Sequence, residues 1–589
     1  MTSKFLHMQK LLILPFIFIC AIGFSQDADT TSAPQNWFNL DPATDKVNGV
    51  STERAYAELL KGKKSTSVIV GVIDSGVDFN HEDLKDVMWI NEKEIAGNGV
   101  DDDKNGYVDD IHGWNFLGGK DGKNVEKETL ELTRIYKELK AKYEGKGEKS
   151  IASGDKKEFA LYTEVKNKYE RKTNEAHGQL TQYKFIADMF NNFNLAVKEQ
   201  LKTDTVRVAE IDKYKAADKK EEQIIAYMKL ILSEEKGASM DDILKQLDEA
   251  TDHFENQLKY NLNLEWDPRA VIGDDYKNSS EKYYGNNDCK GPGASHGTHV
   301  AGIIGANRTN NIGIKGVADN VRIMAVRAIP DGDERDKDVA NAIIYAVDNG
   351  AKVINMSFGK MYPYDKAAVD RAVKYAESKD VLIVHAAGND GLDIDVDVHF
   401  PCKQYASGGE AKNWIDVGAL SYKQKEKIPA PFSNYGKKTV NVFAPGVQIY
   451  STKVDGGYVN QSGTSMACPV TAGVAAVIRS YYPNLTAKQV KKIIEKSVVA
   501  DYKKEKVNKP GKLTHKVKKG DTVKSICDKY KITSDELEAL NPGATKDTLT
   551  EGDDLIIKDK VEVEFSELST TGGIVSLYKA VQMAEAMSK

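Results

Sequence analysis

Cysteine is scarce in this chain. Five occur in 589 residues: Cys20, Cys289, Cys402, Cys468 and Cys527. No two form a Cys-x-x-Cys pair, which argues against a zinc ribbon. A chain this long buries a core without disulfide staples, and no pairing can be read from the spacings. Proline (15) and glycine (46) are too few for a collagen-like or proline-rich chain. Basic excess is missing too. Lys and Arg number 82 against 88 Asp and Glu, a formal net charge of −6, so no nucleic-acid surface is expected. Long apolar runs are absent after the N-terminus. The one run present, Leu11 to Phe24, follows Lys4 and Lys10 and contains Pro15. It is short for a bilayer span and reads as a signal peptide over residues 1–25, cut after Gly23 and Ser25. A retained anchor fits its length poorly, and bulky Phe18 and Ile19 argue against lipidation at Cys20. The expectation is an exported protein, periplasmic, envelope-associated or extracellular, with no membrane span after signal removal.

What is present is mostly globular, with 41% hydrophobic and 29% charged residues. Val68 to Ile73 is a β-branched apolar run ending in Asp74-Ser75-Gly76. It predicts a buried parallel strand with an acid at its carboxyl end, where open α/β sheets carry their sites. Alone, that acid is weak evidence, and an Asx-turn ending the strand is the stronger reading. Two further segments change the weighing. Ser295-His296-Gly297-Thr298-His299 leads into an apolar helix rich in small residues. Gly463-Thr464-Ser465 opens a second helix. A serine there lies in the positive end of a helix dipole, beside unpaired N–H groups able to receive an oxyanion.

The segments VIVGVIDSGVDFNHEDL, HGTHVAGIIGA, VINMSFG, HAAGND and SGTSMACP resemble those of subtilisin-like serine proteases. The order Asp, His, Ser is the one known for subtilisin. The resemblance covers about residues 65–119, 283–499 and 561–589. It implies an α/β fold with a mainly parallel sheet flanked by helices, and a serine endopeptidase acting on polypeptides without a catalytic cofactor. By motif it implies Asp74 as acid, His296 as base, Ser465 as nucleophile and Asn389 as oxyanion donor. His299 is the competing base. Ser357, Phe358 and Gly359 would line one side of the cleft, with Ala387 and Gly388 in the pocket floor.

Several features depart from that pattern. Asp101, Asp103, Asn105 and Asp109 have the spacing of a calcium loop, with Gly106 at the turn, but His112 stands where a bidentate Glu belongs. Structural calcium and a solvated Asx-rich turn both stay open. Residues 120–278 are nearly free of proline and carry helical apolar spacing at Leu130, Leu132, Ile135, Leu139 and Tyr143, and again from Ile224 to Leu232. They predict a helical insertion, a hairpin or small bundle. Residues 513–559 read as strand, helix, helix, strand. They resemble a lysin motif (LysM), a βααβ module that binds N-acetylglucosamine polymers, which implies peptidoglycan or chitin-type glycan as a partner. The expected organisation is a signal peptide (1–25), an N-terminal segment (26–64), the first catalytic part (65–119), the helical insertion (120–278), the second catalytic part (279–512), the LysM-like module (513–559) and a catalytic C-terminal part (560–589). Residues 26–64 are too short for the inhibitory prodomain that the resemblance implies. A rival reading is a catalytically silent glycan-binding envelope protein.

Overall fold

The computed structural model describes residues 33–234, 237–423, 428–541, 549 and 552–589. The signal-peptide assignment lies outside them, as do Pro542, Thr550 and Glu551 of the LysM-like segment. The chain divides into two compact units. One comprises residues 33–126 and 268–589, the other Lys127–Asp267.

The first unit is built on a seven-stranded sheet in the order β2-β3-β1-β4-β5-β6-β7. The strands are β1 (Val68–Asp74), β2 (Gly113–Asn115), β3 (Val321–Arg327), β4 (Val353–Met356), β5 (Leu382–Ala386), β6 (Trp414–Leu420) and β7 (Val442–Pro445). Every ladder is parallel. The strands read as apolar runs because both faces are covered. Side chains alternate between two cores. Val70 and Val72 of β1 enter one, with Val353, Leu382 and Val384, while Ile73 enters the other with Ile354, Met356 and Ile383. Met466, Val470 and Val474 of a helix over Thr464–Tyr481 fill the first core, and helices over Asp336–Asp348 and Lys366–Ser378 cover the second.

Trp37 and Phe38 are fully buried in the first core. The described part of the N-terminal segment, from residue 33, is thus part of the folded unit. The C-terminal segment joins the same core through Phe565, Ile574, Leu577 and Val581. The LysM-like stretch is set between two strands that pair with each other. These are Lys506–Asn508 and Glu562–Glu564, antiparallel with Val507 opposite Val563. Inside them, Leu513–Lys516 pairs antiparallel with Asp554–Lys558, flanking helices Val523–Tyr530 and Ser534–Leu540. A separate small core of Val517, Ile526, Leu537, Leu555 and Ile557 holds the module.

The second unit is helical, as its composition predicts. Its main helices are Glu131–Tyr143, Lys156–Leu201, Lys219–Glu234 and Met240–Asn256. Ile186, Phe190, Phe193 and Val197 of the long helix pack on Met228, Leu232, Ile243 and Leu247. Its limits fall inside the expected 120–278 for a physical reason. Val125 is buried in the sheet's second core, and Arg269 makes a bidentate ion pair with Asp338 at 2.6 and 2.8 Å, so both flanks belong to the first unit.

Candidate active site

Asp74 ends β1, and His296 stands in the first turn of the helix Ser295–Gly305. The two meet because glycines leave room. A Cβ on Gly297 would lie 2.1 Å from the Gly76 carbonyl oxygen and 3.0 Å from the Asp74 Cβ. His296 Nδ1 is 2.7 Å from Asp74 Oδ1, which also accepts the Ser75 N–H at 2.7 Å. The carboxylate is buried, while the imidazole side chain is 38% exposed toward solvent. Burial alone would pull the imidazole down, but the charge and hydrogen bond of Asp74 outweigh it and hold His296 above its ordinary value. His299 is different. It is fully buried, with Nε2 at 3.0 Å from the Ile449 carbonyl and 3.1 Å from that of Val459. Burial pushes it down to about 4. It is a neutral core histidine, which removes it as the competing base.

Ser465 is the second residue of the helix Thr464–Tyr481, half-buried at its N-terminus. Its hydroxyl donates to the Ser357 carbonyl at 3.0 Å rather than to His296. In return the Ser357 hydroxyl donates to the Ser465 carbonyl at 2.9 Å. That carbonyl is available because Pro469, four residues on, has no N–H to offer it. Asn389 follows β5. Its Oδ1 accepts both the N–H (2.8 Å) and the hydroxyl (2.9 Å) of Thr464. This fixes the amide, with Oδ1 on the helix end and Nδ2 beside Gly463. A Cβ built on Gly463 would lie 3.5 Å from Asn389 Nδ2 and 3.6 Å from the Ser465 nitrogen. Asn389 Oδ1 lies 3.7 Å from the same point, held by Thr464, which leaves Nδ2 and the Ser465 N–H as the two donors beside Gly463 that could serve an oxyanion.

The neighbouring cleft residues are fixed by backbone contacts. The Phe358 carbonyl meets His385 Nε2 at 3.0 Å, and the ring is half-buried against the second core. Gly359 sits beside Phe358 and is half-buried. The Gly388 N–H donates to the Thr464 hydroxyl at 3.1 Å, and the Ala387 carbonyl accepts from Asn434 Nδ2 at 2.9 Å. Thr464, Asn434 and Arg327 escaped the sequence reading. Thr464 was signalled only by its place beside Ser465. Arg327 ends β3 beside Asp74, buried to 1%. Its guanidinium donates to the carbonyls of Ser75, Val125 and Pro292 and to Asn115 Oδ1, tying the loops behind Asp74 and ahead of His296. Burial draws its pKa down to about 10.

The acidic loop is arranged differently from the expected ligand set. Asp109 accepts the N–H groups of Gly97 (2.8 Å), Asn98 (3.2 Å) and Gly99 (2.9 Å), and the Asn105 amide donates to Asp110 and Asp103. The carboxylates that converge are Asp101, Asp103 and Glu94, with oxygens within 4.8 Å of one another. Glu94 lies outside the loop pattern, so spacing alone did not reveal it. All four cysteines in the described residues are free and buried. Among the described residues no helix is long and apolar enough to cross a membrane.

Comparison with known proteins gives the family. The subtilase family model matches residues 65–520, and the LysM domain model matches 515–558. A thermophilic serine proteinase of Bacillus sp. (strain AK1) is 45% identical over 187 residues, 32% of this chain and 43% of that protein. Subtilisin DY of Bacillus licheniformis is 38% identical over 34% of this chain and 68% of its own length. A thermostable alkaline protease of Halalkalibacterium halodurans is 34% identical over 39% of this chain and 58% of its own length. This chain therefore spans only about half the length of several relatives it matches. Among solved structures, a cold-adapted subtilisin-like serine proteinase shares 33% identity over 37% of this chain and 71% of its own, with a TM-score of 0.30. The chain belongs to the subtilase family.

Proposed function

We propose that this protein is an exported serine endopeptidase that hydrolyses peptide bonds of proteins and is tethered to cell-wall glycan by its LysM module. The observation that carries the reading is the pairing of a His296–Asp74 hydrogen bond with two candidate oxyanion donors, Asn389 Nδ2 and Ser465 N, both within 3.6 Å of a Cβ built on Gly463. Ser465 Oγ attacks the scissile carbonyl as His296 takes its proton, and His296 then returns that proton to the leaving amine. A water, deprotonated by His296, next attacks the Ser465 ester and releases the acid, with the proton returned to Oγ. Asp74 holds the tautomer and stabilises the imidazolium. The oxyanion forms between Asn389 and the Ser465 N–H, where preorganised donors stabilise charge as it develops. The Ser465 hydroxyl must leave the Ser357 carbonyl to reach His296. Catalytic hydrogen bonds commonly tighten only with substrate in place. Trapping with a fluorophosphonate, followed by peptide mapping, tests the reading, since it requires the adduct on Ser465. Structural calcium belongs to the proposal too, with Asp101, Asp103 and Glu94 as its holders, and hard carboxylate oxygens suit that ion.

A further inference from the structure

The loop carrying Asn389 is held from several sides. Asn434 Oδ1 accepts the N–H groups of Asp390 (3.0 Å) and Leu392 (2.9 Å), and its amide reaches the Ala387 carbonyl. The Gly391 N–H donates to the Phe432 carbonyl at 2.7 Å. One further support comes from a distant part of the chain. Gly511, at the root of the LysM module, donates its N–H to the Pro431 carbonyl at 3.0 Å and lies backbone to backbone against Gly391. A Cβ on Gly511 would stand 2.2 Å from the Gly391 carbonyl oxygen, and one on Gly391 would stand 2.8 Å from the Gly511 Cα. Both glycines are left-handed, with φ of 65° and 68°. The contact continues one turn away. Lys509 Nζ lies 5.0 Å over the Tyr435 ring, and the Tyr435 backbone bonds Leu392 and Ile394.

We propose that Gly511 is a positioning residue for catalysis: the root of the LysM insertion buttresses Gly391 and so holds the Asn389 amide in the oxyanion hole. One residue, Asp390, separates Gly391 from Asn389, so displacement of the Gly391 carbonyl moves the donor. An oxyanion donor acts in the transition state and little in substrate binding, so its misplacement lowers kcat and leaves KM alone. The inference rests on the proposed peptidase reading.

The test compares Gly511→Ala with Gly520→Ala in the full-length chain. Gly520 is also left-handed, at φ 91°, but a Cβ there meets nothing within 4 Å. Both substitutions place a side chain at positive φ, with Gly520 at least as far from the left-handed minimum, and only Gly511 meets a contact. With active sites counted by fluorophosphonate titration, Gly511→Ala is expected to lower kcat about tenfold or more, since misplacements near 1 Å cost on that scale or above. KM should stay within about twofold, and Gly520→Ala should match wild type. In an Asn389→Ala background, Gly511→Ala should have little further effect, because both act on one group. Equal kcat for the two glycine variants, or an undiminished effect without Asn389, overturns the proposal. If Gly511→Ala fails to fold, Gly511→Asn carries the same Cβ with less backbone strain. A readout free of turnover separates this inference from the peptidase reading. With selective 15N-Asn labelling, the Asn389 side-chain amide resonance should shift in the Gly511 variant and not in the Gly520 variant. A still resonance contradicts the buttress even if wild type proves inert.

Discussion

His296 and His299 lie three residues apart on one helix and titrate in opposite directions. Asp74 raises the first; burial against two carbonyls lowers the second to about 4. A general base works in its neutral form, so activity rises with pH through the His296 pKa. Asp74→Asn removes the charge that raises that pKa. The acid limb of kcat/KM should therefore move to lower pH, while kcat falls by about 10⁴, the scale for this change in the same triad on an unrelated fold. A pH–rate profile checks both, and an acid limb that stays or moves up would contradict the electrostatic role of Asp74. At this scale the candidate residues Asp74, His296, Ser465 and Asn389 were legible because each stands in a motif of the family. Arg327 and Asn434 were not, since their partners are backbone groups brought together only by the fold.

At the level of elements, the buried strands were readable as apolar runs, and the helical insertion as apolar spacing with little proline. The 46-residue length of helix Lys156–Leu201 was not, because several polar windows within it carry no strong period of their own. The acidic loop shows a different limit. The carboxylates that converge there include Glu94, which lies outside the spacing from Asp101 to Asp109. If calcium binds there, EDTA should lower the melting temperature and millimolar calcium restore it. At 100 times Kd the gain is about 2.7 kcal/mol. Glu94→Gln should abolish the calcium response, and a melting temperature indifferent to both treatments would count against the ion. The LysM module gives a second prediction at this scale. Its ends are clamped by the ribbon of Lys506–Asn508 with Glu562–Glu564, and the Lys509 N–H reaches the Val561 carbonyl at 2.8 Å. Excision of Leu513–Asp559, with the ends rejoined by a short Gly-Ser turn, should keep kcat/KM on a soluble peptide within about threefold and abolish retention on peptidoglycan or chitin. Unchanged retention would contradict the tether.

For the whole molecule, the sheet-based unit brings together residues from both ends of the chain. Trp37 near one end and Leu577 near the other share its core, so the segments beside the catalytic motifs are structural parts of the same fold. The LysM insertion leaves that fold and returns to it beside the oxyanion loop, while the helical unit carries a core of its own. The central claim is that this assembly cleaves peptide bonds through Ser465. It is tested most directly by fluorophosphonate labelling of wild type and Ser465→Ala, read by peptide mapping alongside casein cleavage. The account predicts one adduct on Ser465 in wild type, and in the folded variant neither label nor more than residual cleavage. Full casein cleavage by Ser465→Ala, or an adduct on another residue, would contradict it.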